Sequence, residues 1–238
     1  MMHRTRLPVA ILAGGLATRL HPLTERMPKS LLEVADRPFI FHQLRSLRAR
    51  GISRVVLCVG YLGEMIEREI GSWDDIGIQV SYCYDGPTLL GTGGALRKAL
   101  PFLGEVFFVL YGDSYLDIDY AAVEGAFFSC GKPALMAVYK NSGKWDTSNV
   151  LFREGKILRY DKKNPEADMG YIDYGLGVLT AGVFNKYEEA ATLDLSTVYE
   201  SLAAAGQLAA FEVTHRFYEI GSPAGLRETD RYLRARHA

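Results

Sequence analysis

Short apolar runs at residues 9–13, 55–59 and 106–110, and an extended stretch at 78–84, alternate with stretches of helical periodicity, and this alternation restricts the chain more than any other feature. Runs of four to seven apolar residues are strand length, and strands separated by helices form a parallel sheet covered by those helices. Pro38 stands where a helix can begin, Phe41, Leu44 and Leu47 recur at helical spacing, and Gly51 can end it. Residues 61–70 and 95–100 predict the next two helices. Right-handed crossovers then place the loops that follow the strands on one edge of the sheet, where open α/β folds bind ligands.

Beyond Met136 the pattern changes. Val150-Leu-Phe152 and Ile157-Leu-Arg-Tyr160 flank Gly155-Lys156 and predict an antiparallel hairpin. Residues 176–184 return to an apolar run, 209–213 are strand-like, and 196–205 and 223–236 predict helices. Repeats, low-complexity tracts and linkers are absent from the sequence. The expected fold is α/β: one domain spanning residues 1–238, with a single mainly parallel Rossmann-like sheet flanked by helices and a small antiparallel flap on the substrate side.

Net charge is −1, from 27 basic and 28 acidic residues, so no overall field draws the chain to nucleic acid or an anionic membrane. An anionic small molecule must therefore be held by a local constellation. Cys58, Cys83 and Cys130 lie in apolar stretches without metal-ligand spacing, and their odd number argues for reduced thiols. His3, Arg4 and Arg6 before the run 9–13 imitate a secretory leader, but that run is too short and meets Gly14-Gly15. No apolar run reaches the ~20 residues of a membrane span. A cytoplasmic protein is expected.

The most informative segment is the turn that follows the first strand. Gly14 and Gly15 let backbone N–H groups approach phosphate oxygens, Arg19 offers a planar fork, and Lys29, after Pro28, offers a point charge. This is neither the P-loop nor the dinucleotide fingerprint.

Gly14, Gly15, Thr18, Arg19, Leu20, Pro22, Leu23, Thr24, Pro28 and Lys29 together resemble the signature of the sugar-1-phosphate nucleotidyltransferases. Ala17 departs from it where the family usually carries a third glycine, which predicts that this residue avoids a conformation only glycine tolerates. Leu90-Gly-Thr-Gly-Gly-Ala-Leu96 is similar to the family segment that approaches base and ribose. Tyr111-Gly-Asp113 resembles its metal-holding Gly-Asp, and Asp161-Lys162 its pair for sugar hydroxyls and sugar phosphate. Tyr171-Ile-Asp-Tyr-Gly175 matches the sugar pocket more loosely, and Tyr218-Glu-Ile-Gly-Ser-Pro223 carries Glu219 in place of the family's aspartate.

The resemblance implies nucleotide contacts from Leu12, Ala13, Gly14, Gly15, Thr18, Arg19, Lys29, Gly93, Gly94 and Asp113, within a nucleotide-binding part at 1–135. It implies sugar-phosphate contacts from Asp161, Lys162, Asp173 and Gly175, within a part at 136–238. Arg19, Lys29, Asp113 and Lys162 would carry catalysis, with magnesium on Asp113 and Glu219. The partners would be a nucleoside triphosphate and a sugar 1-phosphate, with no nucleic acid and no membrane. Glu219, one methylene longer than aspartate, would reach the metal from a backbone set slightly farther from Asp113.

Within the family, residues 14–19 and 91–94 most resemble the compact heptose-1-phosphate guanylyltransferases and their uridylyltransferase relatives. Guanylyl transfer to a heptose 1-phosphate is therefore the first expectation, with uridylyl, thymidylyl or cytidylyl transfer to another sugar 1-phosphate open. With no repetitive tail after Arg236, no β-helix domain is expected. A catalytically silent nucleotide-sugar sensor would tolerate the changes at Ala17 and Glu219. A nicotinamide-dependent oxidoreductase would leave Arg19 and Lys29 without a role.

Overall fold

The computed structural model describes residues 7–73, 76–188 and 192–237. Positions 1–6, which carry the leader-like basic residues, lie outside them. The first half unfolds in the expected order: β1 (Val9–Leu12), a small hairpin of β2 (Glu33–Val34) and β3 (Arg37–Pro38), α1 (Phe39–Ala49), β4 (Arg54–Val59), α2 (Gly63–Gly71), β5 (Gln79–Tyr84), α3 (Gly91–Leu103) and β6 (Val106–Tyr111). The second half holds β7 (Ser114–Tyr115), α4 (Tyr120–Cys130), β8 (Ala134–Lys140), β9 (Val150–Arg153), β10 (Lys156–Tyr160), β11 (Tyr171–Thr180), α5 (Leu195–Ala204), β12 (Leu208–Val213), β13 (Tyr218–Glu219) and α6 (Pro223–His237).

A nine-stranded sheet organises the chain. β5, β4, β1 and β6 lie side by side in parallel, and β11 joins the edge of β6 antiparallel. The predicted flap is the hairpin of β9 and β10, which continues this sheet beyond β11 rather than standing apart from it. β12 runs parallel to β8, which pairs with β11.

Strand periodicity divides the core into two layers. Val9, Ile11, Val55, Leu57, Val59, Phe108 and Leu110 face one side, where Ile40, Leu44 and Leu47 of α1 cover them. Ala10, Val56, Cys58, Phe107 and Val109 face the other, against Ala95, Leu96, Ala99 and Leu103 of α3. Both faces of β1, β4 and β6 are thus buried, which is why they appear as continuous apolar runs rather than alternating ones.

Two elements escape the periodicity reading. α4 is apolar almost all round, with Phe128 60% exposed, so it carries no amphipathic stripe. Its start is marked instead by Asp119, whose side chain accepts from the Ala121 and Ala122 amides. β8 begins before Met136, inside what the sequence suggests is still the first half. Among the described residues no helix is long and apolar enough to cross a membrane.

Candidate active site

A cavity of about 630 Å³ opens where β1, β4, β5 and β6 end. β1 runs into Leu12, Ala13, Gly14 and Gly15 on one wall, and Arg19, Lys29 and Asp113 stand beside them. Lys162, Asp173, Gly175 and Glu219 line the remainder. Expected site residues from distant parts of the sequence therefore meet around one space.

Asp113 is the hub of the charged cluster. Lys29 Nζ lies 2.7 Å from its Oδ2. Burial works to raise the Asp113 carboxyl, but Lys29 and Arg19 together hold it below the usual carboxylate range. Its backbone carbonyl accepts the Ile220 amide at 2.9 Å, and β7 and β13 pair Ser114 with Glu219. This pairing sets the Glu219 backbone directly beside that of Asp113. The extra methylene is absorbed by a curled side chain: Ser222 Oγ donates to Oε1 at 2.7 Å and the Gly221 amide to Oε2. A Cβ at Gly221 would stand 2.7 Å from Glu219 Oε2, 3.1 Å from Asp113 Oδ2 and 3.3 Å from an Arg19 terminal nitrogen, so the three groups converge on one point.

Two hard carboxylates facing a phosphate-sized space suit magnesium, which commonly takes one or two protein carboxylates and completes its shell with water and phosphate oxygens. Among the described residues no group of three or more His, Cys, Asp or Glu side chains could hold a metal by itself. Asp113 and Glu219 fit the sparser arrangement.

Elsewhere on the wall, Asp173 is half-buried. Its Oδ2 accepts the Tyr111 hydroxyl at 2.8 Å, its Oδ1 accepts the Gly175 amide at 2.9 Å, and its own amide donates to Asn149 Oδ1 at 3.0 Å. Burial raises its carboxyl above the ordinary value, against the Gly175 and Tyr111 hydrogen bonds and the Lys162 charge. Lys162 Nζ lies 5.6 Å from the centre of the Tyr111 ring.

Four expected contacts are placed elsewhere. Gly93 and Gly94 donate to the Leu193 carbonyl at 2.8 and 3.0 Å, docking the segment before α5, while Gly91 and Thr92 reach the cavity wall. Thr18 is exposed and off that wall. The Asp161 carboxylate accepts from Arg159 and from the Lys163 and Asn164 amides, holding its own turn rather than facing the cavity. Ala17 does not avoid the left-handed region: it sits at φ 51°, ψ 40°. An L-residue there costs about 1–2 kcal/mol. Ala17→Gly is expected to raise stability by about 1 kcal/mol in thermal unfolding, the gain being reduced by the freer unfolded chain.

Asp85, Asp146, Thr147, Asn149 and Tyr160 complete the wall without having been singled out by sequence. Asp85 carried one signal, an acid at a strand end before Gly-Pro. It is raised by burial, while the Leu90 amide and Lys98 oppose that shift.

The parallel sheet, the glycine turn at its edge and two cations beside paired carboxylates define an α/β protein with a charged cavity at the strand ends. The sequence profile described as nucleotidyl transferase matches residues 9–226, and the chain belongs to that family. It is 30% identical over 219 residues to mannose-1-phosphate guanyltransferase beta-A of Xenopus laevis, covering 90% of this chain and 61% of that protein. It is 31% identical over 218 residues to the mannose-1-phosphate guanylyltransferase catalytic subunit beta of Drosophila pseudoobscura pseudoobscura, covering 90% and 58%. The chain thus spans about three fifths of these relatives' length.

Solved structures share the fold. HddC from Yersinia pseudotuberculosis in complex with GMP-PN superposes with a TM-score of 0.79 at 21% identity, over 95% of this chain and 99% of that one. The inositol-1-phosphate CTP transferase from T. maritima gives 0.80 at 23% identity, over 97% and 96%.

Proposed function

We propose that the protein transfers a nucleoside monophosphate from a nucleoside triphosphate to a sugar 1-phosphate, releasing pyrophosphate. The observation that carries this reading is that Arg19, Lys29, Lys162, Asp113 and Glu219, from distant parts of the sequence, line a single cavity. Residues 1–135 hold the triphosphate and 136–238 the sugar phosphate, in a cytosolic enzyme whose thiols stay reduced.

The attacking group is already an anion. A sugar-phosphate oxygen forms a bond to the α-phosphorus as the bond from that phosphorus to the bridging oxygen of pyrophosphate breaks, so no protein nucleophile or general base is needed. The lining fits: among the described residues it contains no histidine, and burial drives the Cys58 thiol far above its ordinary pKa. Arg19 grips triphosphate oxygens and Lys162 fixes the incoming phosphate, so positioning and charge neutralisation carry the rate. Magnesium, when held by Asp113 and Glu219, supplies charge compensation to the phosphates.

Guanine is the favoured base. The guanylyltransferase relatives support it, and the Asp85 carboxylate on the cavity wall offers acceptors for a base presenting adjacent N–H donors. Mannose 1-phosphate and a heptose 1-phosphate are the sugars of choice. A matrix of four triphosphates against a panel of sugar 1-phosphates, read by pyrophosphate release, tests this directly. Turnover confined to GTP with one of these sugars is expected; release with no combination in the presence of magnesium would make the chain a binding protein instead. In the same assay Lys162→Ala is expected to raise KM for the sugar phosphate about tenfold while changing that for the triphosphate little.

A further inference from the structure

The loop joining β8 to β9 is held at both ends of its arch. From inside, the fully buried Asn141 side chain donates to the Asp146 carbonyl at 2.6 Å and to Ser148 Oγ at 3.1 Å, and accepts the Trp145 amide at 3.2 Å. From outside, the Trp145 ring, 41% exposed, lies 3.4 Å from the Arg216 guanidinium. Arg216 is itself fixed: Nη2 pairs with Glu228 of α6 at 2.9 Å, Nε donates to the Phe217 carbonyl at 3.1 Å, and the Tyr218 ring lies 4.5 Å away.

This stack joins two pieces of cavity wall. Asp146 and Thr147 follow Trp145, while Phe217 and Glu219 follow Arg216, and all four line the cavity. A carboxylate on that edge repels a polyphosphate, whereas carboxylate and hydroxyl oxygens match the hydroxyls of a neutral pyranose ring. We propose that the Trp145–Arg216 stack is a positioning device that holds the Asp146–Thr147 edge against the sugar ring and so sets affinity and selectivity for the sugar phosphate. This rests on the nucleotidyltransferase reading.

Steady-state kinetics separate the two. Losing a cation–π contact of this kind is expected to raise KM for the sugar phosphate about fivefold in both Trp145→Leu and Arg216→Lys, with KM for the triphosphate changed less than about twofold. Trp145→Phe keeps an aromatic face and is expected to recover most of the difference. The chain has two tryptophans, so a Trp73→Phe background leaves Trp145 as sole reporter. Its emission is expected to shift as mannose 1-phosphate or a heptose 1-phosphate is added, saturating near KM, and to be insensitive to GTP alone. Parallel changes in both KM values, or normal kinetics beside a lowered melting temperature, overturn the positioning role, as does an emission unmoved by a sugar phosphate that the enzyme turns over. Absence of turnover in the parent protein instead overturns the nucleotidyltransferase reading.

Discussion

Asp113→Asn is expected to lower kcat by about 100- to 1,000-fold, the scale of removing one preorganised charge from a transition state. The amide keeps the shape and can still accept from Lys29, so the loss reads charge rather than collapse. Glu219→Gln is expected to cost at least about 100-fold, and the paired variants share one diagnostic, a magnesium requirement moved to higher concentration. A titration of Glu219→Gln that overlays the parent would leave Asp113 as the sole protein ligand. Asp113 also marks the acid limb of stability. Its folded pKa is depressed, so its pairing stabilises the fold above the ordinary carboxylate range and fades as pH falls through the folded value. Asp113→Asn should flatten that part of the stability profile.

Gly112→Ala is the second large effect, and it is steric. A Cβ there would overlap the Leu12 carbonyl oxygen and stand 3.0 Å from the Leu12 carbonyl carbon and 3.1 Å from Ala13 Cα. These are backbone atoms of the neighbouring strand end, so the clash cannot be relieved by a rotamer. Gly112 also donates its amide to that same carbonyl at 3.1 Å. Overpacking of this kind costs about 2–3 kcal/mol, a fall of roughly 4–12 °C in melting temperature for a domain of this size. Because Asp113 is the next residue, turnover measured well below the new melting temperature is expected to drop more than about tenfold. A variant with parent kinetics would show that the β1 and β6 ends can separate without disturbing the carboxylate.

What the sequence discloses depends on whether a residue's reason is local. The parallel strands are legible because both faces are buried, so β1, β4 and β6 stand out as apolar runs. The glycine turn and Arg19 are legible because their use is written in neighbouring residues. α4 is hidden because it lacks contrast between its faces. The docking of Gly93 and Gly94 is not legible because their amides serve Leu193, a partner distant in sequence. Asp161 stands off the cavity wall for a local reason: the Lys163 and Asn164 amides hold its carboxylate to its own turn. Asp146 reaches the cavity wall on the arch that Asn141 pins, and Asn149 through its pairing with Tyr171 and Asp173, both properties of the folded chain.

The two-stranded ribbon of β7 and β13 joins the chain's middle to its final quarter, and the two acidic groups of the site ride on that junction. During synthesis the sheet formed by β1, β4, β5 and β6 can assemble before β13 leaves the ribosome, but the carboxylate pair cannot. On the proposed reading, the phosphate-facing turn is thus present in the chain before the carboxylate pair is. A nascent or partly frayed chain would then retain nucleotide affinity ahead of turnover.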